Sequence, residues 1–170
     1  MEKVVLPVLI CIAAITSHAA TAAENPLQAI SFLSGDWRSV SSNSGAGDRF
    51  RLDLNGHVLV RSSLHDVAVA KDTAGGTMSS TLTIYPEAGG EKFRAIYFDS
   101  DGRVIQYVSS NVEPGKSIQL VSDVPTQGPK FRLTYQLADR KTLHAKFEMA
   151  MPNQPQEYRV IAEGDEILLP

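Results

Sequence analysis

Cysteine is nearly missing from this 170-residue chain: Cys11 is the only one, and it lies inside an uncharged stretch at residues 4–15. Lys3 precedes that stretch, and Ala19, Ala20, Ala22 and Ala23 follow it. A positive start, a short apolar run and an A-x-A-like end form the layout of a secretory signal peptide. Residues 1–23 are therefore expected to be removed, and cleavage after Ala19 or after Ala23 fits equally well. Ile10 precedes Cys11, where a lipoprotein signal needs a small residue at its cleavage point. The mature chain then has no thiol, which excludes disulfides, thiolate metal sites and a cysteine nucleophile. A disulfide-free exported domain suits the bacterial periplasm better than a eukaryotic secretory route, where small domains are often stapled.

Long hydrophobic runs are missing too. The leader's apolar run is about a dozen residues, short of the ~20 that cross a bilayer as a helix, and no later segment approaches that length, so no membrane span is expected. No basic cluster or basic-aromatic stripe occurs, and the formal net charge is −3. Nucleic acid and anionic membrane are poor partners for such a surface. Residues 24–170 are about the length of one ordinary domain, large enough to bury a core without staples.

What the chain does have is a period of two. Phe50, Leu52 and Leu54 alternate with charged neighbours; Phe131, Leu133, Tyr135 and Leu137 alternate with polar ones, as do Leu143, Ala145, Phe147 and Met149. Tyr158, Val160 and Ala162 continue the theme less cleanly, because Ile161 is apolar. Alternation of this kind marks antiparallel strands with one wet face. Turn chemistry separates the runs. Asn55-Gly56 is a two-residue hairpin signal, Asp101-Gly102 repeats its logic, and Gly89-Gly90, Glu113-Pro114-Gly115, 138–141 and 152–155 add further turns. Nine or ten strands at roughly 10-residue spacing follow. With hairpin-length connections, consecutive strands should be neighbours, and closure into an up-and-down β-barrel removes the exposed edges most simply. A β-sandwich is the alternative that periodicity leaves open.

One stretch reads as helical. Asn25 caps it, Pro26 opens it, Leu27, Ile30 and Leu33 follow at every third position, and Gly35 stops it. It should plug one end of the β structure. The small, polar stretches 41–47 and 70–76 read as mobile loops at a rim.

The segment Phe32-Leu33-Ser34-Gly35-Asp36-Trp37-Arg38 places a short helix before a Gly-x-Trp that opens the first strand. With the central Tyr97-Phe98-Asp99-Ser100-Asp101-Gly102 hairpin, it resembles the calycin superfamily of lipocalin-like and nitrobindin-like barrels, and most closely the exported bacterial lipocalin-like domains of unknown function. The likeness runs in order and length through most of the mature chain. It implies a tryptophan lying across one barrel end with an arginine of a late strand packed over it. Trp37 and Arg159 match those positions and are expected to close the structure, since a guanidinium stacks well on an indole. It also raises haem as a cofactor, because nitrobindin-like barrels ligate haem through a histidine. Of the three histidines after residue 23, His57 and His65 stand roughly 26 Å apart if they share one strand. His144 falls on the polar face of its strand. None matches the haem position securely, and no His/Asp/Glu spacing indicates a metal site.

Catalytic patterns are equally thin. The serine pairs Ser62-Ser63, Ser79-Ser80 and Ser109-Ser110 lack a nucleophile elbow. His65-Asp66 reads as a loop pair, Asp99 and Asp101 as turn residues, and Gly75-Gly76 lacks the lysine of a phosphate loop. No catalytic residue is assigned, and the balance leans against an enzyme. A barrel of about eight strands can hold one small ligand. Phe50, Leu52, Tyr97, Phe131, Tyr135, Phe147 and Tyr158 lie on the apolar parity and are the expected lining. The expected function is an exported, periplasmic or secreted protein that binds a small apolar or amphipathic molecule. A filled barrel that uses its outer surface is one alternative. An isomerase- or cyclase-like enzyme is another, and it would need a buried His, Asp or Glu with a shifted pKa facing the cavity.

Overall fold

The structure, a computed structural model, describes residues 25–41, 46–64, 79–90, 92–123 and 128–170. The expected leader, the stretch 70–76, most of 41–47 and the pair His65-Asp66 lie outside those residues. An eight-residue 3₁₀-helix, Pro26–Leu33, comes first. Ten strands follow: β1 (Gly35–Ser39), β2 (Gly47–Asp53), β3 (Val58–Leu64), β4 (Ser80–Pro86), β5 (Phe93–Asp99), β6 (Val104–Glu113), β7 (Ser117–Ser122), β8 (Lys130–Asp139), β9 (Thr142–Ala150) and β10 (Arg159–Leu168).

Each strand pairs antiparallel with the next, and β10 returns to β1 through Trp37 opposite Leu168 and Ser39 opposite Glu166. The sheet is therefore a closed up-and-down barrel, not a sandwich. Among the described residues no helix is long and apolar enough to cross a membrane.

The helix departs from an α-helix for a reason visible in its sequence. Leu27, Ile30 and Leu33 recur every third residue, which matches the 3.0-residue turn of a 3₁₀-helix and sets all three on one line. They are at most 2% exposed and close one end of the barrel. Asn25 Oδ1 accepts from Leu27 N at 3.0 Å, and its Nδ2 donates to the Gly56 carbonyl at 2.9 Å. The Ala29 carbonyl accepts from Gly115 N at 2.8 Å. These bonds tie the plug to the β2–β3 and β6–β7 turns.

Asn55 and Gly56 both take positive φ, 57° and 82°. The β2–β3 connection nevertheless spans four residues rather than two, because the ladder closes at Asp53 opposite Val58. Asp53 supplies the reason: its carboxylate accepts from Leu54 N at 2.6 Å and its carbonyl from His57 N at 3.1 Å, so a capped 3₁₀ turn replaces the tight hairpin. Gly47 is required by close approach, since a Cβ there would stand 1.9 Å from the Trp37 carbonyl oxygen.

Three strand pairs carry bulges, and the one in β10 matters most. Val160 faces Glu148 and Ala162 faces Phe147, so Ile161 is the extra residue. A bulge slips the side-chain alternation by one. Ala162, Gly164 and Glu166 therefore share a face with Phe147, whereas Val160 goes with Glu148.

Candidate functional site

The barrel interior divides along its axis. Toward the plugged end it is filled by Leu27, Ile30, Leu33, Trp37, Leu59, Ile84, Phe93, Ile118 and Leu143, all buried. Toward the far end, where β1, β3 and β7 run out, three charged residues stand on inward-facing positions. Asp48 shares parity with Phe50 in β2, Arg61 with Leu59 in β3, and Glu166 with Leu168 in β10. They line one cavity of about 260 Å³ together with Leu133, Tyr135 and Phe147.

Arg61 is the centre of this chamber. Its Nη1 donates to Asp48 Oδ2 at 3.3 Å and to the Tyr135 hydroxyl at 3.5 Å, and its Nη2 donates to Ser80 Oγ. Ser63 Oγ stands 2.9 Å from Ser80 Oγ and accepts from Ser80 N at 2.8 Å. The guanidinium carbon lies 5.8 Å from the centre of the Tyr97 ring. Arg61 and Asp48 side chains are only 12% and 11% exposed. Among the described residues, two buried polar atoms of the chamber have no hydrogen-bond partner: Arg61 Nε and Glu166 Oε2.

Burial sets the protonation states. Loss of solvent works against the charge on Arg61, but Tyr135 and Asp48 more than offset it and the guanidinium stays charged. Burial pushes the Glu166 carboxyl up to about 8, with the Asp48 charge adding to the rise and Arg61 opposing it. Burial likewise raises Tyr135, Tyr107 and Tyr97, so their phenols remain protonated donors. Near pH 7 the Arg61 guanidinium is thus charged and the Glu166 carboxyl mostly neutral.

Of the seven expected lining residues, Tyr135 and Phe147 line this cavity, while Phe50, Tyr97 and Phe131 pack beside its lining residues. Phe50 and Tyr135 pack edge to face at 5.3 Å, Phe131 and Phe147 stack at 5.5 Å, and Tyr97 lies beside Arg61. Leu52 is 50% exposed near the plugged end and does not line the chamber. Tyr158 lies on the other face of the wall, because the Ile161 bulge inverts the alternation before it. There the Arg132 guanidinium stacks 4.0 Å over its ring and makes a two-point ion pair with Glu148, at 2.6 and 2.8 Å.

Trp37 and Arg159 are not brought together. Trp37 is 1% exposed and pairs with Leu168, whereas Arg159 is exposed at the opposite end of β10, nine residues or roughly 30 Å away. The indole N–H instead donates to the Leu33 carbonyl at 2.7 Å, which satisfies both the buried ring and a free helix-end carbonyl. His144 has both ring nitrogens engaged, Nδ1 with Asp165 at 2.7 Å and Nε2 with Glu163 at 2.9 Å. The Asp165 hydrogen bond is the main cause of its raised pKa.

Sequence reasoning missed Asp48, Arg61 and Glu166. The available signal was a charged residue at the apolar parity of a strand, as Arg61 is between Leu59 and Ser63. Two larger hollows have a different character. One of about 690 Å³ lies outside the plug against Pro26, Ala29 and Gly90, and one of about 540 Å³ lies beside Val104 and Phe131. Neither contains the buried ion pair, so the smaller chamber is the candidate site.

A closed ten-strand antiparallel barrel of this kind fits a calycin-like fold. No family model matches the chain, and no curated protein matches it in sequence.

Proposed function

We propose that the protein is an exported carrier that holds a small amphipathic molecule in the far half of the barrel. The polar part of the ligand meets Arg61 and Glu166, and the apolar part lies against Leu133, Tyr135 and Phe147. The observation that supports this reading is a pair of buried atoms on residues that line one cavity, Arg61 Nε and Glu166 Oε2, which no described residue partners. An unpaired buried polar group costs roughly 1–3 kcal/mol, more when charged. A ligand that pairs with both atoms recovers that cost. Binding alone is required; no covalent step is involved.

A proton-transfer enzyme acting in the same chamber is the second reading. Glu166, a buried carboxyl that titrates near neutrality on a cavity wall, is the observation that favours it.

Native mass spectrometry of the mature protein, purified gently from the envelope of its own host, tests the carrier reading. A reproducible extra mass that disappears on denaturation is the expected result. A bare polypeptide mass that also stays unshifted after incubation with haem, fatty acids and isoprenoid lipids would reject it for those classes and favour a surface-interaction module. The outer pair Phe98 and Val104, opposite each other on β5 and β6 and about half exposed, would then be the first surface to examine.

A further inference from the structure

Resting on the reading of the barrel lumen as a binding chamber, we propose that the molecule it takes presents an uncharged head with a hydrogen-bond acceptor beside a donor, of the amide or lactam class, to Arg61 and Glu166. Arg61 is already matched by Asp48 at 3.3 Å, and both are almost wholly buried. Glu166 adds a second carboxyl to the same wall. At the rim, Lys146 and Glu163 are of opposite sign, and Lys146 Nζ lies 3.8 Å from Glu148 Oε1 on the outer face.

A carboxylate or phosphate head would therefore find no spare cation among the described residues, would face the Asp48 charge, and would hold Glu166 to its protonated form. Like charges in a site of low dielectric repel strongly. An ammonium head would meet the Arg61 charge and would require Glu166 to ionise against its burial. A neutral head avoids both penalties.

The unpartnered atoms then define its chemistry. Arg61 Nε can only donate, so it needs an acceptor. Glu166 is mostly protonated near pH 7 and its Oε2 is free. A protonated carboxyl donates from one oxygen and accepts at the other. A primary amide carries both functions side by side, so it satisfies Glu166 whichever oxygen holds the proton. Size agrees: about 260 Å³ equals the share of roughly nine waters at ~30 Å³ each, enough for a compact molecule of that order of size.

Isothermal titration of the mature protein at pH 7 with octanamide, octanoate and octylammonium tests the proposal, since the three share a chain and differ in the head. Octanamide is expected to bind at least tenfold more tightly than either ion. Octanoate or octylammonium binding as tightly as octanamide would overturn the proposal and leave the carrier reading standing. Absence of binding by all three would reject the chamber as a binding site, and the proposal with it. Glu166→Gln keeps a neutral donor–acceptor pair at every pH. In that variant octanamide should retain its preference, while any octanoate binding should lose the weakening with rising pH that Glu166, beside Asp48, Arg61 and Tyr135, imposes on the native protein. Loss of the octanamide preference in a folded Glu166→Gln protein would also overturn the assignment.

Discussion

Arg61 and Glu166 carry the sharpest consequences at the scale of single residues. Arg61→Met leaves Asp48 buried without its cation, which typically costs about 3–5 kcal/mol. Urea denaturation should show that loss. Pairing the change with Asp48→Asn should recover part of it, because the two residues act on one interaction and their effects do not add. Glu166 makes a prediction of opposite sense. Its folded pKa, about 8, lies above its ordinary value of 4.5, so the folded state holds a proton that the unfolded state releases. The associated stability is fully present below about pH 4.5 and is lost as pH rises through about 8. Thermal melts should therefore show stability falling across that window, and Glu166→Gln should flatten the fall and melt several degrees higher at pH 8. His144, raised by Asp165 and Glu163, contributes in the same direction. A stability that rises from pH 5 to pH 8 in the native protein would contradict both assignments.

At the scale of elements, the plug and the bulge show what patterning reveals and where it stops. The three-residue spacing of Leu27, Ile30 and Leu33 was legible as a helix that buries one line of residues, and Asn25 as its cap. Ile30 is fully buried, so Ile30→Ala should cost about 2–5 kcal/mol, whereas Asn25→Ala should cost about 1 kcal/mol through the lost cap. Paired denaturation curves check the ranking. The strands were equally legible where alternation is unbroken, as in Phe131–Leu133–Tyr135 and Leu143–Ala145–Phe147. Tyr158 was not placed correctly by that logic, because one extra residue at Ile161 inverts everything before it. The apolar Ile161 breaks the pattern at the bulge itself, so the irregularity was present in the sequence without its geometric meaning. Leu52 illustrates a different limit: parity gives the face of a strand but not the height along it, and near an end an inward parity does not guarantee burial.

At the scale of the whole molecule, closure follows from local features that agree with one another. Short connections keep sequential strands adjacent, and the pairing of β10 with β1 removes the last edges. The functional division of the interior was not legible, for a physical reason. A charged side chain is ordinarily assigned to the wet face, and only the three-dimensional neighbourhood shows that Asp48, Arg61 and Glu166 compensate one another inside. Each lies on a different strand, and Glu166 is far in sequence from the other two, so no local motif announces them. We propose this buried polar cluster in a closed barrel as the place where a ligand binds. A crystal structure of the protein purified from its own host, without added ligand, tests it most directly. Density for a non-protein molecule within hydrogen-bond distance of Arg61 Nε and Glu166 Oε2 is the predicted result. Side chains collapsed onto one another, with those two atoms paired inside the protein and no room left between them, would contradict it.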